Sequence, residues 1–359
     1  MKLSDIAEYV TDKISSNRIT INEYVTTDSL LQNKRGRETA QNLPPVTCAL
    51  INFKQGDVLV ANIRPYLKKV WYADSEGCCS SDVLVFRAKN GHDSNFLYAV
   101  LMQDTFFDYA MQGAKGSKMP RGDKDQIMRY EIPTFSTDEE ENIGKMVVDI
   151  TSKIAINRRI NDNLEEQLRL ITSRYIFSCP NLEKKRIGEI ATVKAGGDCP
   201  ITFSKTRTQK CNIPIFSNGT EDRGLYGFTN KANIEGHSIT VAARGTIGYC
   251  ERRLMPFVPI IRLLAITPKE DGAYIYLHQV IRGMKFKKNG SVQQQLTVPE
   301  ISFIEIPYPH SSILYEYNKV ASPIVEMIER NISENEILTK QRDELLPLLM
   351  NGQASVNSD

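Results

Sequence analysis

The segments "GSKMPRGDKDQIMRYEIP" (residues 116–133) and "GSVQQQLTVPEISFIEIP" (residues 290–307) share a frame and differ in what fills it. Both run from Gly-Ser to Glu-Ile-Pro over the same length. Asp123 and Thr297 stand at matching places, each followed three residues later by Gln or Glu, which is the pattern of a capping box that starts a helical turn. The closing Glu-Ile-Pro predicts a short strand that stops at proline. The two segments therefore predict one backbone encoded twice, with a variable loop before each cap.

The same repetition extends toward the amino-terminal side of both segments. "LSDIAEYV" at 3–10 matches "IGEIATVK" at 187–194. "QGDVLVANIRPYLKKV" at 55–70 matches "EGHSITVAARGTIGYC" at 235–250, an alignment that sets Arg64 against Arg244. The spacing between matched segments shrinks along the chain, as expected when loops vary in length and elements persist. We therefore expect two similar α/β domains in an α+β protein.

A long helix is predicted after each Glu-Ile-Pro. Thr137 and Glu140 form a third capping-box pattern, and apolar residues then recur at helical spacing. The first helix is predicted from residue 138 to about 176 and the second from about 313 to 350. Each is nearly forty residues and roughly 55–60 Å long at 1.5 Å per residue.

The two predicted helices carry matching apolar and polar positions 174 residues apart, as 290 is from 116. Asparagines stand where an amphipathic helix would have apolar residues, and polar seam residues fix register and partner. We expect the helices to pair with one another, antiparallel, which would relate the two domains by an approximate two-fold axis. The alternative is two unrelated helices that face solvent. The predicted seam consists of Ile150, Ile154, Asn157, Asn161, Leu164, Ile171, Ile324, Ile328, Asn331, Asn335, Leu338 and Leu345.

Two similar domains in inverted orientation, one or more DNA turns apart, have the geometry to read two half-sites. The constant frame would hold a loop, and the filling would select bases. The predicted boundaries are 1–136 for the first domain, 137–178 for the first spacer helix, 179–311 for the second domain, 312–352 for the second spacer helix and 353–359 for a flexible tail.

Composition restricts the class of protein but does not itself indicate DNA. The 359 residues contain 45 Lys+Arg and 43 Asp+Glu, for a net charge of +2, so any basic surface must be local. The seven cysteines lack a Cys-x-x-Cys pair, and the four histidines stand alone, so we predict reduced structural thiols and no metal site. The absence of an apolar leader and of a long apolar run predicts a cytoplasmic protein with no membrane partner.

With these residues in view, the chain resembles the DNA-specificity subunit of a type I restriction-modification system. The resemblance lies in "RIGEIATVKAGGDCP", "ITVAARGTIGYC", "GSVQQQL…IEIPYP" and "QRDELLPLLMNGQ". It implies two target-recognition domains, each reading one half of a bipartite double-stranded DNA site, separated by two helices that form an antiparallel coiled coil. It also implies two methyltransferase (modification) subunits and restriction/translocase subunits as partners. The first half departs from the pattern because it lacks an Arg-Gly-Thr-Ile-Gly turn.

The chain itself is predicted to be non-catalytic. It contains no G-x-x-x-x-G-K-[ST] motif, and its nearest approach to the Asn/Asp-Pro-Pro-aromatic stretch of an adenine methyltransferase is "NLPPV" at 42–46, which reads as a loop. The resemblance places S-adenosylmethionine, ATP and Mg in partner subunits, so no cofactor is expected on this chain. The assembled complex would be an adenine-N6 DNA methyltransferase and an ATP-dependent endonuclease.

Basic and amide residues near the variable loops are the candidate DNA contacts. Arginine pairs well with guanine edges and glutamine with adenine edges, while lysine mostly meets phosphate. The candidates in the first domain are Arg64, Lys68, Lys69, Lys115, Lys118 and Arg121. Those in the second domain are Lys205, Arg207, Lys210, Arg244, Lys285, Lys287, Lys288, Gln293 and Gln294.

Two other functions fit the same pattern. The chain could be the recognition part of a self-sufficient methylating nuclease, which would transfer methyl groups without a partner. It could instead be a two-headed coiled-coil adaptor that binds proteins, whose affinity for DNA would lack the steep salt dependence of phosphate contacts.

Overall fold

A computed structural model describes residues 1–180, 182–286 and 295–356. The chain divides into two compact units, one of Met1–Arg159 with Asn331–Asp359 (unit 1) and one of Ile160–Arg330 (unit 2). The division falls within both long helices. Each unit therefore contains one α/β domain and a segment of each long helix.

Unit 1 is built on two four-stranded sheets. The first has the strand order β1-β8-β5-β6 and is antiparallel, and the second has the order β2-β4-β7-β3. The helices are α1 (Leu3–Ile6), α2 (Ser94–Leu101), α3 (Asp104–Gln112), α4 (Lys124–Ile127) and the long α5 (Thr137–Thr172). The strands are β1 (Ala7–Tyr9), β2 (Lys13–Ser15), β3 (Tyr24–Val25), β4 (Ala49–Phe53), β5 (Val58–Ala61), β6 (Val70–Tyr72), β7 (Gly77–Cys79) and β8 (Val83–Ala88).

Unit 2 repeats the first sheet with the order β10-β16-β13-β14 and adds the sheet β12-β11-β15 and the pair β17-β9. Its helices are α6 (Ile187–Ile190), α7 (Ala273–Arg282), α8 (Val298–Ser302) and the long α9 (Ser311–Met350). Its strands are β9 (Glu183–Arg186), β10 (Ala191–Ala195), β11 (Ile213–Phe216), β12 (Leu225–Thr229), β13 (Ser238–Val241), β14 (Cys250–Arg253), β15 (Val258–Pro259), β16 (Leu264–Pro268) and β17 (Glu305–Tyr308). The shared strand order confirms two similar α/β domains.

The start of each domain matches the predicted repeat residue by residue. A four-residue helix ends at Ile6 in unit 1 and at Ile190 in unit 2. A strand then begins at once, at Ala7 and at Ala191.

The long helices belong to the hydrophobic cores of the domains. In unit 1, Val147 of α5 and Leu346 and Leu349 of α9 are buried in one cluster with Phe86 and Phe96. Burying a side chain of this size contributes about 1.5–3 kcal/mol. The helix segments are therefore held by the domain core as well as by each other.

The two long helices pack antiparallel in each unit, as predicted. In unit 1 the Asn157 side chain donates to Glu334 at 2.7 Å and to Asn335 at 2.9 Å. Earlier in α5, Val147 lies in the same cluster as Leu346, which comes later in α9.

Unit 2 shows the same direction. Asn161 donates to the carbonyl of Ile328 at 3.2 Å, and Thr172, later in α5, bonds the hydroxyl of Tyr317, earlier in α9, at 2.8 Å. Residues later in α5 thus contact residues earlier in α9, so the two helices run antiparallel.

The predicted seam residues differ in burial. Ile154, Asn157 and Ile328 are buried, whereas Leu345 is 37% exposed and its neighbour Leu346 is 2% exposed. The buried position at this end of α9 is therefore Leu346, because a 3.6-residue period drifts away from a fixed seven-residue spacing. The remaining predicted residues are partly buried: Ile150, Asn161, Leu164, Ile171, Ile324, Asn331, Asn335 and Leu338.

Two of the three capping boxes differ from the prediction. The box before α5 is formed by Ser136, whose backbone N–H donates to Glu139 at 2.8 Å, so it lies one residue before the predicted pair. Asp123 caps α4 through the backbone N–H groups of the next turn, but the Gln126 side chain donates to a different carbonyl, that of Tyr109. A side chain with a second acceptor in reach need not return to its own cap.

The third box, at Thr297 and Glu300, is present as predicted. The strand after it continues past Pro307 to Tyr308, where the prediction ended it at the proline. Proline is tolerated there because β17 pairs with β9 alone, so the missing N–H interrupts no second ladder.

Candidate nucleic-acid interface

A turn follows the inner strand of the repeated sheet in each unit, and we call it the central turn. In unit 1 it is residues 62–69, between β5 and β6, and in unit 2 it is residues 242–249, between β13 and β14. Both turns pass through left-handed backbone twice. The residues are Arg64 (φ 52°) and Lys68 (φ 49°) in unit 1, and Gly245 (φ 69°) and Gly248 (φ 88°) in unit 2.

The strand registers on either side of the two central turns show how their residues correspond. In unit 1, Phe86 pairs with Val58 of β5, and in unit 2 Ile266 pairs with Ile239 of β13. Phe86 and Ile266 also pair with matching residues of the first strands.

Counting from Val58 and Ile239, Arg64 corresponds to Gly245. Counting back from Val70 and Cys250, which pair with Val60 and Val241, Arg64 corresponds instead to Arg244, as in the sequence alignment, so between these pairs the turn of unit 1 is one residue longer than that of unit 2. The first domain thus carries basic residues, Arg64 and Lys68, at the left-handed positions of its turn, where the second domain has glycines.

The loop before each short capped helix lies against the central turn. In unit 1 the N–H of Gly122 donates to the carbonyl of Asn62 at 3.1 Å, and the N–H of Arg64 donates to Pro120 at 2.7 Å. In unit 2 the N–H of Leu296 donates to Ala243 at 3.0 Å. The two repeated segments therefore meet the two turns in the same way.

The basic residues predicted in unit 1 are held by different contacts. The Nε of Arg64 is buried without a hydrogen-bond partner among the described residues. Lys68 lies 3.0 Å from Asp104, and Lys69 donates to a backbone carbonyl at Thr27. Lys68 and Lys34 lower the pKa of Asp104 although partial burial of the carboxyl opposes them.

The three remaining candidates of unit 1 lie on the loop beside the turn. Arg121 is paired with Asp82 at 3.0 Å, and Lys115 is paired with Asp123 at 3.2 Å while its side chain is 84% exposed. Lys118 is exposed. Exposed pairs of this kind are weak, so Asp82 and Asp123 hold Arg121 and Lys115 only loosely.

In unit 2, Arg244 extends from the central turn and its guanidinium donates to Gln295 at 2.6 and 3.1 Å. Lys205 lies over the ring of Tyr226, 4.4 Å from its centroid. Three further candidates are exposed: Arg207, Lys210 and Lys285. Four candidates lie outside the described residues: Lys287, Lys288, Gln293 and Gln294.

Sequence reasoning missed a second exposed turn in unit 2. Ile261 and Arg262 are exposed and both left-handed, with φ of 52° and 64°. Asn218 donates to the carbonyl of Ile261 at 2.6 Å and accepts from the N–H of Ala243 at 2.7 Å. Asn218 therefore joins this turn to the central turn. The sequence offers no signal for it, since neither left-handed residue is a glycine.

The described residues contain no cluster of His, Cys, Asp and Glu that could hold a metal ion. Within the same ranges, no helix has the length and apolar content needed to cross a membrane.

Comparison with known proteins was made with these features in view. The family model of the type I restriction modification DNA specificity domain matches residues 1–166 and again residues 181–346. A protein named as a type I specificity subunit in Mycoplasma pneumoniae is 33% identical over 49% of this chain, which covers 56% of that protein. The type I restriction enzyme MjaIX specificity subunit of Methanocaldococcus jannaschii is 21% identical over 90% of this chain and 83% of its own length.

A solved structure shares the fold. The crystal structure of a type I restriction-modification system S subunit from M. genitalium superimposes with a TM-score of 0.59 at 18% identity, covering 98% of this chain and 95% of that one. The two matched segments of the family model correspond to the two repeated halves of the chain.

Proposed function

The chain belongs to the family of the type I restriction modification DNA specificity domain, and on that premise we propose that it is a non-catalytic DNA-recognition subunit. Each domain reads one half of a bipartite double-stranded site. Because the chain covers little more than half of the Mycoplasma pneumoniae relative, the activity of a whole complex is part of this proposal.

One observation carries it. The central turn of each unit passes through left-handed backbone twice, at Arg64 and Lys68 in one and at Gly245 and Gly248 in the other, although the turn of unit 1 is one residue longer between its paired strands. Holding a side chain other than glycine in left-handed backbone costs about 1–2 kcal/mol per residue. Strain of this kind persists where a function needs it. Two similarly placed turns with different side chains are what two readers of different half-sites require.

The long helices supply a surface for partners. Large apolar side chains remain exposed on both, although they lie on helices whose other faces are buried. We propose that methyltransferase subunits dock there, two per chain because the repeat supplies two similar surfaces. Exposed residues of this surface are Ile156, Ile160 and Leu170 on α5 and Met327, Ile337 and Leu348 on α9.

The chemistry then belongs to the partners. Methyltransferase subunits would bind S-adenosylmethionine and methylate adenine, and restriction/translocase subunits would use ATP and Mg to cut unmethylated DNA.

Reconstitution with the cognate methyltransferase and S-adenosylmethionine tests the proposal. The complex is expected to methylate adenines in one bipartite sequence, mapped on genomic DNA, and native mass measurement is expected to show two methyltransferase copies. Methyl transfer by the chain alone would identify a self-sufficient enzyme. DNA affinity that does not change with salt would favour the protein-binding adaptor, because phosphate neutralisation makes DNA binding fall steeply as salt rises.

A further inference from the structure

A line of polar contacts connects the central turn of unit 1 to the long helix α9. Lys68, in the turn, lies 3.0 Å from Asp104 at the start of α3. Asp104 also lies 3.0 Å from Lys34. Lys34 in turn reaches Asp343 on α9 at 3.3 Å. The side chain of Lys34 is only 8% exposed, so the middle of this line is shielded from solvent.

The backbone reinforces this line in unit 1. The N–H of Asn33 donates to the carbonyl of Leu67 at 2.9 Å, and the N–H of Lys34 donates to the carbonyl of Lys68 at 2.8 Å. Two main-chain hydrogen bonds therefore join Asn33 and Lys34 to the central turn, while the Lys34 side chain extends to α9.

Unit 2 has a line of the same construction with different side chains. Tyr249, in the central turn, donates its hydroxyl to Glu251 at 2.6 Å. Arg223 donates to Glu251 at 2.8 Å and, through its other two nitrogens, to Glu329 on α9 at 3.0 and 3.1 Å. Burial by itself lowers the pKa of Arg223, but Glu251 and Glu329 outweigh it and raise that pKa above its ordinary value. The guanidinium therefore stays charged.

Lys34 and Arg223 occupy equivalent places. Each is the second residue of a left-handed pair, with φ of 59° for Lys34 after Asn33 and 56° for Arg223 after Asp222. Each pair lies in a loop that follows the strand running parallel to β7 or to β15.

A backbone hydrogen bond to a glycine carbonyl closes each of these loops. Leu31 donates to Gly36 at 2.8 Å in unit 1, and Ser217 donates to Gly224 at 2.8 Å in unit 2. Neither domain uses glycine at the strained second position itself. Each has a long cation there instead.

We propose that Lys34 and Arg223 are positioning residues, each the centre of a polar relay that holds the central turn of its unit in place against α9. In unit 1 the relay runs from Lys68 through Asp104 and Lys34 to Asp343 on α9. In unit 2 it runs from Tyr249 through Glu251 and Arg223 to Glu329 on α9. This proposal rests on the proposed function in one respect, because a fixed position of the central turn matters if the turn reads bases. The relay of unit 2 is the stronger, since Arg223, Glu251 and Glu329 are 20–26% exposed, whereas Asp104 and Asp343 of unit 1 are 56% and 41% exposed.

Hydrogen exchange on the full chain tests the relay without DNA. Glu329→Gln is expected to speed exchange of the amides of residues 243–249 by about three- to tenfold, the loss of one charge-assisted hydrogen bond, and to leave residues 62–69 unchanged. Asp343→Asn is expected to act on residues 62–69 alone, and less strongly. Glu326→Gln and Glu344→Gln, exposed neighbours on α9, are the matched controls and should change neither turn.

A double variant tests whether the relay is continuous. Tyr249→Phe and Glu329→Gln are not in contact, so independent effects would multiply. A relay predicts instead that the double variant exchanges no faster than the faster single variant. Multiplying effects, or equal acceleration of both central turns by either helix variant, would overturn the proposal.

Methylation mapping separates this proposal from the function on which it rests. If the wild-type complex methylates a bipartite site, Glu329→Gln should relax base preference in one half of it and Asp343→Asn in the other. A wild-type complex without a bipartite site would refute the proposed function, while the exchange data would still decide the relay.

Discussion

Replacing Arg64 by glycine should make the protein more stable and worse at recognising DNA. The left-handed backbone at Arg64 (φ 52°) is unfavourable by about 1–2 kcal/mol for arginine, whereas glycine adopts it without this strain. Its buried Nε also lacks a hydrogen-bond partner within the described ranges, which adds an unfavourable desolvation term. Against this, glycine adds about 0.5–1 kcal/mol of chain entropy to the unfolded state. The balance is a gain of about 1 kcal/mol.

Arg64→Ala is the matched comparison. Alanine removes the same side chain but keeps the backbone strain, so it should be about 1 kcal/mol less stable than the glycine variant. Gly245→Ala is the reciprocal change in unit 2. Apart from its chain neighbours, no atom of the described residues lies within 4 Å of a Cβ built at Gly245, so the expected loss of about 1–2 kcal/mol is assigned to backbone strain.

Unit 1 contains the single tryptophan, Trp71, on the strand that follows the central turn. Its fluorescence during urea unfolding therefore reports on the unit that holds Arg64, while circular dichroism would follow Gly245→Ala. In the assembled complex, Arg64→Gly should relax one half of the methylated site by about 1–3 kcal/mol if Arg64 reads a base. A glycine variant that unfolds earlier than the alanine variant, or one that keeps full base preference, would refute the reasoning.

Three further outcomes are expected. Lowering the pH below about pH 4 should destabilise both units. The pKa values of Asp104 and Glu251 are lowered in the folded protein, so at acid pH the unfolded chain binds more protons than the folded one. Asp104→Asn and Glu251→Gln should therefore weaken the dependence of the free energy of unfolding on pH in this range, as measured by urea unfolding. Gly144→Ala should cost about 1–3 kcal/mol in thermal unfolding, because its Cβ would lie 2.4 Å from the backbone N of Phe96. Exchanging residues 1–133 for the matching segment of another family member should alter one half of the methylated site and leave the other unchanged, and a change in both halves would contradict independent reading.

The sequence predicted the repeat, the two long helices and their antiparallel pairing because these depend on periodic patterns that many residues share. One misplaced residue does not alter such a pattern. The alignment of Arg64 with Arg244 depended instead on the length of one turn. The strand registers show that this turn is one residue longer in unit 1, so Arg64 corresponds to Gly245 when counted from β5 and β13 and to Arg244 when counted back from β6 and β14.

The relays could not be predicted from the sequence. Left-handed backbone is predicted from glycine or asparagine, so Lys34 and Arg223 gave no signal at their own positions. Their carboxylate partners are far away in the chain, and only the folded sheets and helices bring Asp343 or Glu329 within reach. Contacts of this kind depend on tertiary structure alone.

The seam between the long helices contains two hydrogen bonds at equivalent positions of the repeat. Asn161 donates to the carbonyl of Ile328, and Asn335 donates to the carbonyl of Ile154 at 3.4 Å. Asn335 and Ile328 of α9 stand 174 residues after Asn161 and Ile154 of α5. Each bond therefore joins the asparagine position of one helix to the isoleucine position of the other. Such an interface is isologous. Each half of the sequence therefore carries both the donor position and the acceptor position of this bond, so a substitution at either position of one half removes one bond and leaves its counterpart intact.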